Sequence, residues 1–178
     1  MRQVTTENQR YLGEWLVRIL NFPLPETTQC IGQLKDGNLV AVAGYTNFMP
    51  KACEIHIGSV GDNWASRDFL WAVFDYPFNK LGVSVILGQI CKDNEDALRL
   101  NRHLGFKVVA DIPDAHMDGD LVIMAMRKED CRWLDIQCPL RRLKGIGFAG
   151  SINMNVASQG IEFHWASTDY VMERGGVL

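Results

Sequence analysis

An α/β domain built on a mixed sheet is what the sequence predicts, and three observations carry that prediction. Helical and extended hydrophobic periods alternate along most of the chain. Asp36-Gly37 stands between two β-prone runs, a short-range hairpin signal. Residues 83–90 are almost continuously apolar, the pattern of a strand covered on both faces.

Element by element, Thr5 and Thr6 precede Glu7 and a helical stripe of Tyr11, Leu12, Trp15, Leu16, Ile19 and Leu20. A threonine is the expected N-cap, and Pro23 and Pro25 end the helix. Residues 30–34 and 39–45 form the hairpin. Residues 52–60 make a third strand, whose alternation puts Cys53, Ile55 and Ile57 on one face and Glu54, His56 and Gly58 on the other. Gly61-Asp62-Asn63 reads as a turn, and from about Trp64 a second helix buries Phe69, Leu70, Val73 and Phe74. Pro77 lacks an N–H for the carbonyl four residues back, so a kink or terminal turn is expected around Tyr76-Pro77-Phe78, with Gly82 closing the helix. After the strand at 83–90, Asn94 caps a short helix with Ala97, Leu98 and Leu100 inward, and Gly105 ends it. Residues 106–110 and 121–126 are the last strands, joined by a polar loop containing Asp118-Gly119-Asp120.

The expected division is a domain at 1–134 and a C-terminal arm at 135–178. The arm is Gly-rich over 139–178 and lacks the apolar material for its own core. The cluster Arg141-Arg142-Leu143-Lys144 reads either as a solvated turn or as a dock for an acidic partner. Phe163 and Trp165 read either as interface anchors toward neighbouring subunits or as packing of the arm onto the sheet.

Composition sets the class. The chain has 178 residues, 47% hydrophobic and 22% charged, which is globular and long enough to form a core without a disulfide or metal staple. Its five cysteines are odd in number and widely spaced, with no CxxC, so neither a disulfide framework nor a metal site is expected. A net charge of −3 argues against a whole-domain grip on nucleic acid or anionic lipid. Residues 1–7 carry no apolar leader, and no apolar run approaches the roughly 18–20 residues of a membrane span. A soluble, cytoplasmic protein is expected.

The informative unit is 55–106: strand, turn, helix, buried strand, Asn-capped helix, Gly-Phe. A strand that runs into a helix N-terminus presents free amides and a positive dipole end, suited to a phosphate or pyrophosphate. A plain βαβ crossover without a ligand has the same spacing.

Three stretches in this order, Phe69-Leu70-Trp71-Ala72-Val73-Phe74-Asp75-Tyr76-Pro77-Phe78-Asn79-Lys80-Leu81-Gly82, Asn94-Glu95-Asp96-Ala97-Leu98-Arg99-Leu100 and His103-Leu104-Gly105-Phe106, resemble the GNAT (Gcn5-related N-acetyltransferase) superfamily. The resemblance is closest to GNAT-like proteins of tailed bacteriophages, which share a loop like Asp118-Gly119-Asp120 and an ending like Cys131-Arg132-Trp133-Leu134. It spans roughly residues 5–134. It implies a three-layer fold whose central strands, here 52–60 and 83–90, splay apart to admit acetyl-CoA. Pantetheine would pair with the edge of the first strand near Ile57, and the pyrophosphate would rest on Trp64, Ala65, Ser66 and Arg67. Asn94 would bond pantetheine, or act only as a helix cap. An amine would attack the thioester directly, with Glu54 or His56 as base; His56 as a hydrogen-bonded strand residue is the alternative.

The chain departs from the family pattern at two places. Trp64 stands where the pyrophosphate loop normally has a glycine, with Asp62 beside it, and Asn101 stands where active members often carry a general-acid tyrosine. Two functions follow. One is an acetyl-CoA-dependent N-acyltransferase, phage-encoded. The other is a non-catalytic virion assembly or structural protein whose cleft is plugged and whose arm binds phage structural proteins or further copies of itself. Cys91, without a legible His-Asp partner, reads as a core thiol.

Overall fold

The computed structural model describes residues 1–136. The arm expected at 135–178 therefore lies outside the described residues apart from its first two, as do Cys138, the basic cluster and the Phe163-Trp165 run.

Seven strands form one sheet, β1 (Arg2–Thr5), β2 (Gln29–Lys35), β3 (Asn38–Thr46), β4 (Ala52–Ser59), β5 (Val85–Cys91), β6 (Lys107–His116) and β7 (Gly119–Arg127), in the order β1-β2-β3-β4-β5-β7-β6. Every neighbouring pair is antiparallel except β4 and β5, which run parallel. The helices are α1 (Gln9–Leu20), α2 (Arg67–Asp75) and α3 (Glu95–Leu104).

The strand period sorts the side chains into two layers. On one side, Ala41, Ala43, Tyr45, Cys53 and Ile55 join Phe69, Val73 and Phe74 of α2 and Leu98 and Leu104 of α3 in the main core. On the other, α1 lies close over three glycines: a Cβ at Gly32 would meet Leu12 Cδ2 at 2.8 Å, one at Gly44 Leu16 Cδ2 at 2.5 Å, and one at Gly58 Leu16 Cδ1 at 2.9 Å. Missing side chains on β2, β3 and β4 let the helix seat on the backbone.

Four expectations are corrected. The cap of α1 is Asn8, in the left-handed region at φ 55°, whose side chain accepts from the Tyr11 amide; Thr5 is buried in β1. The β1 strand went unread because four residues are too short to show a period. Tyr11 is 51% exposed and off the buried stripe of Leu12 and Leu16. The strand at 83–90 is β5, starting at Val85, and it is not covered on both faces: Ile86, Gly88 and Ile90 are buried while Gln89 is exposed. β6 and β7 extend much further than 106–110 and 121–126, so the polar loop reduces to a tight hairpin turn before Gly119.

At Pro77 the chain forms a π-helical turn, Tyr76–Lys80, with Leu81 donating to the Tyr76 carbonyl at 2.9 Å. Pro77 has no N–H for the Val73 carbonyl. The buried Tyr45 hydroxyl donates to that oxygen at 2.6 Å, so a side chain from β3 fills the place of the missing helix bond. At α3, Gly105 sits at φ 113° and Phe106 donates to the Asn101 carbonyl at 2.9 Å, a Schellman-type ending.

Candidate functional site

β4 and β5 pair only at Ala52↔Val85, Cys53↔Ile86 and Glu54↔Leu87, although β4 continues to Ser59 and β5 to Cys91. Past Glu54 the two strands part. Val60 donates to Val40 on β3, whereas the Lys51 carbonyl accepts from Val85 at 3.2 Å. The two-residue period therefore turns the backbone groups of odd-numbered β4 residues toward the gap, Ile57 among them. By the same period Gln89 faces the gap from β5. Each strand runs on to a helix N-terminus, β4 to α2 and β5 to α3, so both helix starts stand beyond the widening end.

Glu54 is at the apex. It is 8% exposed, and its carboxylate accepts from Asn47 Nδ2 at Oε2, 2.8 Å, and from Gln89 Nε2 at Oε1, 2.6 Å. Two neutral amides orient the group and leave further lone pairs for a cation. His56, two residues on and on the same face, has Nε2 at 2.8 Å from Thr46 Oγ1. Burial lowers its pKa, and the nearby Glu54 charge opposes that shift only in part, so the ring is neutral at neutral pH. Cys53, on the opposite face, is pushed up to about 12 by burial and stays a protonated thiol.

The loop before α2 is tied to the first two strands. Ser66 caps α2, accepting from the Phe69 amide at 3.1 Å, while its hydroxyl donates to Gln33 Oε1. Gln33 is fully buried and donates in turn to the carbonyls of Gln3, 3.0 Å, and Leu34, 2.9 Å. Arg2 donates to the Asn63 carbonyl at 2.7 Å. With the Ser66 hydroxyl committed to the protein and the Phe69 amide committed to Ser66, an anion here would find the Arg67 and Asp68 amides and the exposed Arg67 side chain. Trp64 is half-buried, edge-on to Phe69 with ring centroids 6.2 Å apart, and Ala65 packs on the main core.

Asn94 is exposed and caps α3, its Oδ1 accepting from the Ala97 amide at 3.0 Å. Asn101 donates to the Ala97 carbonyl at 2.9 Å, and its Oδ1 lies 3.6 Å from where a Cβ on Gly88 would stand. The half-buried Cys91 ends β5.

The structure thus brings Glu54 and His56 together at the apex and groups 64–67 at the start of α2, with Ile57 on the free edge between them. Asn94 belongs to the other helix start. Sequence reasoning missed Thr46, Asn47, Gln89 and Gln33. Thr46 lies directly opposite Glu54 across the β3–β4 hairpin, a register legible in principle. Gln89 reaches Glu54 only through the parallel crossover. Among the described residues no cluster of three or more His, Cys, Asp or Glu is placed to hold a metal ion, and no helix is long and apolar enough to cross a membrane.

No protein-family model matches the chain, and no curated protein matches it significantly. Solved structures do match. YncA from Salmonella typhimurium, assigned as an acetyltransferase and solved with its cofactor acetyl-CoA, is 14% identical, with a TM-score of 0.57 over 71% of this chain and 93% of its own. A variant of the spermidine N-acetyltransferase SpeG from Vibrio cholerae is 13% identical, with a TM-score of 0.59 over 75% of this chain and 96% of its own. The ribosomal-protein-S18-alanine N-acetyltransferase from Escherichia coli is 19% identical, with a TM-score of 0.55 over 71% and 94%. The mixed seven-stranded sheet with helices on both faces is the GNAT fold, and the described residues share it with those acetyltransferases.

Proposed function

We propose that the protein is an acetyl-CoA-dependent N-acyltransferase in which Glu54 receives the acceptor amine. The observation that carries this reading is the parting of β4 and β5 immediately after Glu54. The residues fit the donor molecule. Ile57 on β4 and Gln89 on β5 turn free backbone groups into the gap, suited to an extended amide-bearing chain such as pantetheine. The Arg67 and Asp68 amides at the start of α2, with the Arg67 side chain, suit a pyrophosphate.

When bound, acetyl-CoA supplies a thioester already activated toward amines. The protein's part is positioning and one proton. Glu54, fixed by Asn47 and Gln89, holds the ammonium at a carboxylate oxygen and accepts its proton. Neutral His56, anchored at Thr46, is the second acceptor within the same row of β4. Asn101 has no proton to give, so the thiol leaves as thiolate or takes its proton from water. The buried thiol of Cys53 takes no part, which keeps transfer direct. The bacteriophage setting stays with this reading on the sequence resemblance alone.

The second reading, a non-catalytic phage structural protein, draws on Trp64 packed against Phe69 and on Asn101 turned back to its own helix. Titration calorimetry with acetyl-CoA separates the two. The enzyme reading expects heat from the wild type, weakened by Arg67→Ala, and amine-dependent thiol release that Glu54→Gln lowers by about 100-fold or more in kcat/KM. Heat from Trp64→Gly alone, with a silent wild type, would make the cleft a plugged one.

A further inference from the structure

The face of the sheet that carries Glu54 is covered over only part of its width. α1 lies over β2, β3 and β4, with Leu16 and Ile19 against Gly58. The pairings continue Glu54's row onto Leu87, Gln89 and their β7 partners Ala125 and Ile123, then Leu121 and Ile112 at the outer end. The 2.6 Å bond from Gln89 to Glu54 shows that the row is one surface. Among the described residues no helix covers this part. Gln89 is exposed, Ile112 is 40% exposed, and Leu87, Leu121 and Ile123 are half-buried, while Ile86, Met124 and Val122 on the reverse side are buried.

Charge on this strip is sparse. Glu54 is the carboxylate of the row, and neutral amides orient it without neutralising it. The ion pairs Lys107–Asp130 at 2.8 Å and Arg127–Glu129 at 3.0 Å are balanced within themselves, and at the outer end Asp111 and Asp120 share Lys92 at 2.8 and 3.2 Å. A ligand that fits has one positive charge at Glu54 and an apolar remainder over the leucines and isoleucines. Among the described residues, a polyamine laid along Leu87, Ile123 and Leu121 would set its second ammonium on hydrocarbon, with no acid among those side chains to meet it. Resting on the transferase reading, we propose that the acceptor is a singly charged primary amine borne on an apolar body, which lies on the strip formed by Leu87, Ile123 and Leu121.

The test uses the full-length chain, with thiol release from acetyl-CoA measured for ethylamine, 2-phenylethylamine and spermidine. The expected order places 2-phenylethylamine above spermidine by about tenfold or more in kcat/KM. Ile123→Ser is expected to raise the KM for 2-phenylethylamine about tenfold while leaving kcat, and the KM for ethylamine, unchanged. Leu121→Ser serves if the first variant misfolds. A preference for spermidine, or discrimination untouched by both substitutions, overturns the acceptor class while leaving the transferase intact. So does acetyl-CoA heat without release to 2-phenylethylamine. A dimer in light scattering that either substitution dissociates gives the strip to a second copy and overturns it too. Absence of both heat and release with every amine defeats the transferase reading itself.

Discussion

His56 is held by burial below the ordinary imidazole value of 6.5, against the pull of Glu54. Linkage fixes the sign of the consequence. Between the lowered native pKa and 6.5 the unfolded chain binds more protons than the native one, so stability rises with pH across that window. The contribution is fully present above 6.5 and is lost as pH falls toward the native value. Urea unfolding at stepped pH is expected to show wild-type stability declining below about 6.5, with a shallower decline for His56→Gln. A variant that declines as steeply as the wild type removes His56 from the account. The sequence showed Glu54 and His56 sharing a strand face because a two-residue period is local. It did not show Asn47 and Gln89, because both are polar residues with nothing beside them to mark them until the β3–β4 hairpin brings the first, and the crossover the second, to one carboxylate.

At the scale of elements, Pro77 announced an interruption that the structure delivers as a π-helical turn. What replaces the lost bond was not legible, since Tyr45 lies 28 residues from Val73 in the chain. Tyr45→Phe keeps the ring and leaves the Val73 carbonyl buried without a donor, an expected cost of about 1–3 kcal/mol in chemical denaturation. A loss below a few tenths would mean that the turn supplies its own partner. The caps divide in the same way. Asn94 and Gly105 were readable from residue type beside a periodic run, and both hold. Asn8, the stronger cap type, stood behind two threonines that β1 and the link after it claim instead. The start of α2 was placed three residues early because Trp64 packs on Phe69 in the helix without being helical itself.

For the whole molecule, element order was legible and the parting of the central strands was not. Apolar runs report that strands are buried, and burial is equally compatible with a fully zipped sheet. The resemblance, not the periodicity, supplied that expectation, and three rungs of pairing followed by none now give it geometric content. Hydrogen exchange reads it directly. The amide of Cys53, inside the paired zone, is expected to be protected without ligand, and that of Ile57 to exchange quickly and to slow on addition of acetyl-CoA. Equal protection of Cys53 and Ile57 in the free protein would mean a closed sheet in solution.

The bond from Gln89 to Glu54 spans the divide between a four-stranded half and a three-stranded half. It is a clasp as well as a prop for the carboxylate. A cation that draws Oε1 away from Gln89 unfastens the halves at their narrowest point, so occupancy by one reactant alters the welcome for the other, and reciprocally. Acetyl-CoA affinity measured with and without saturating amine is expected to differ in the wild type and to converge in Gln89→Ala; unchanged coupling in that variant would assign the clasp elsewhere.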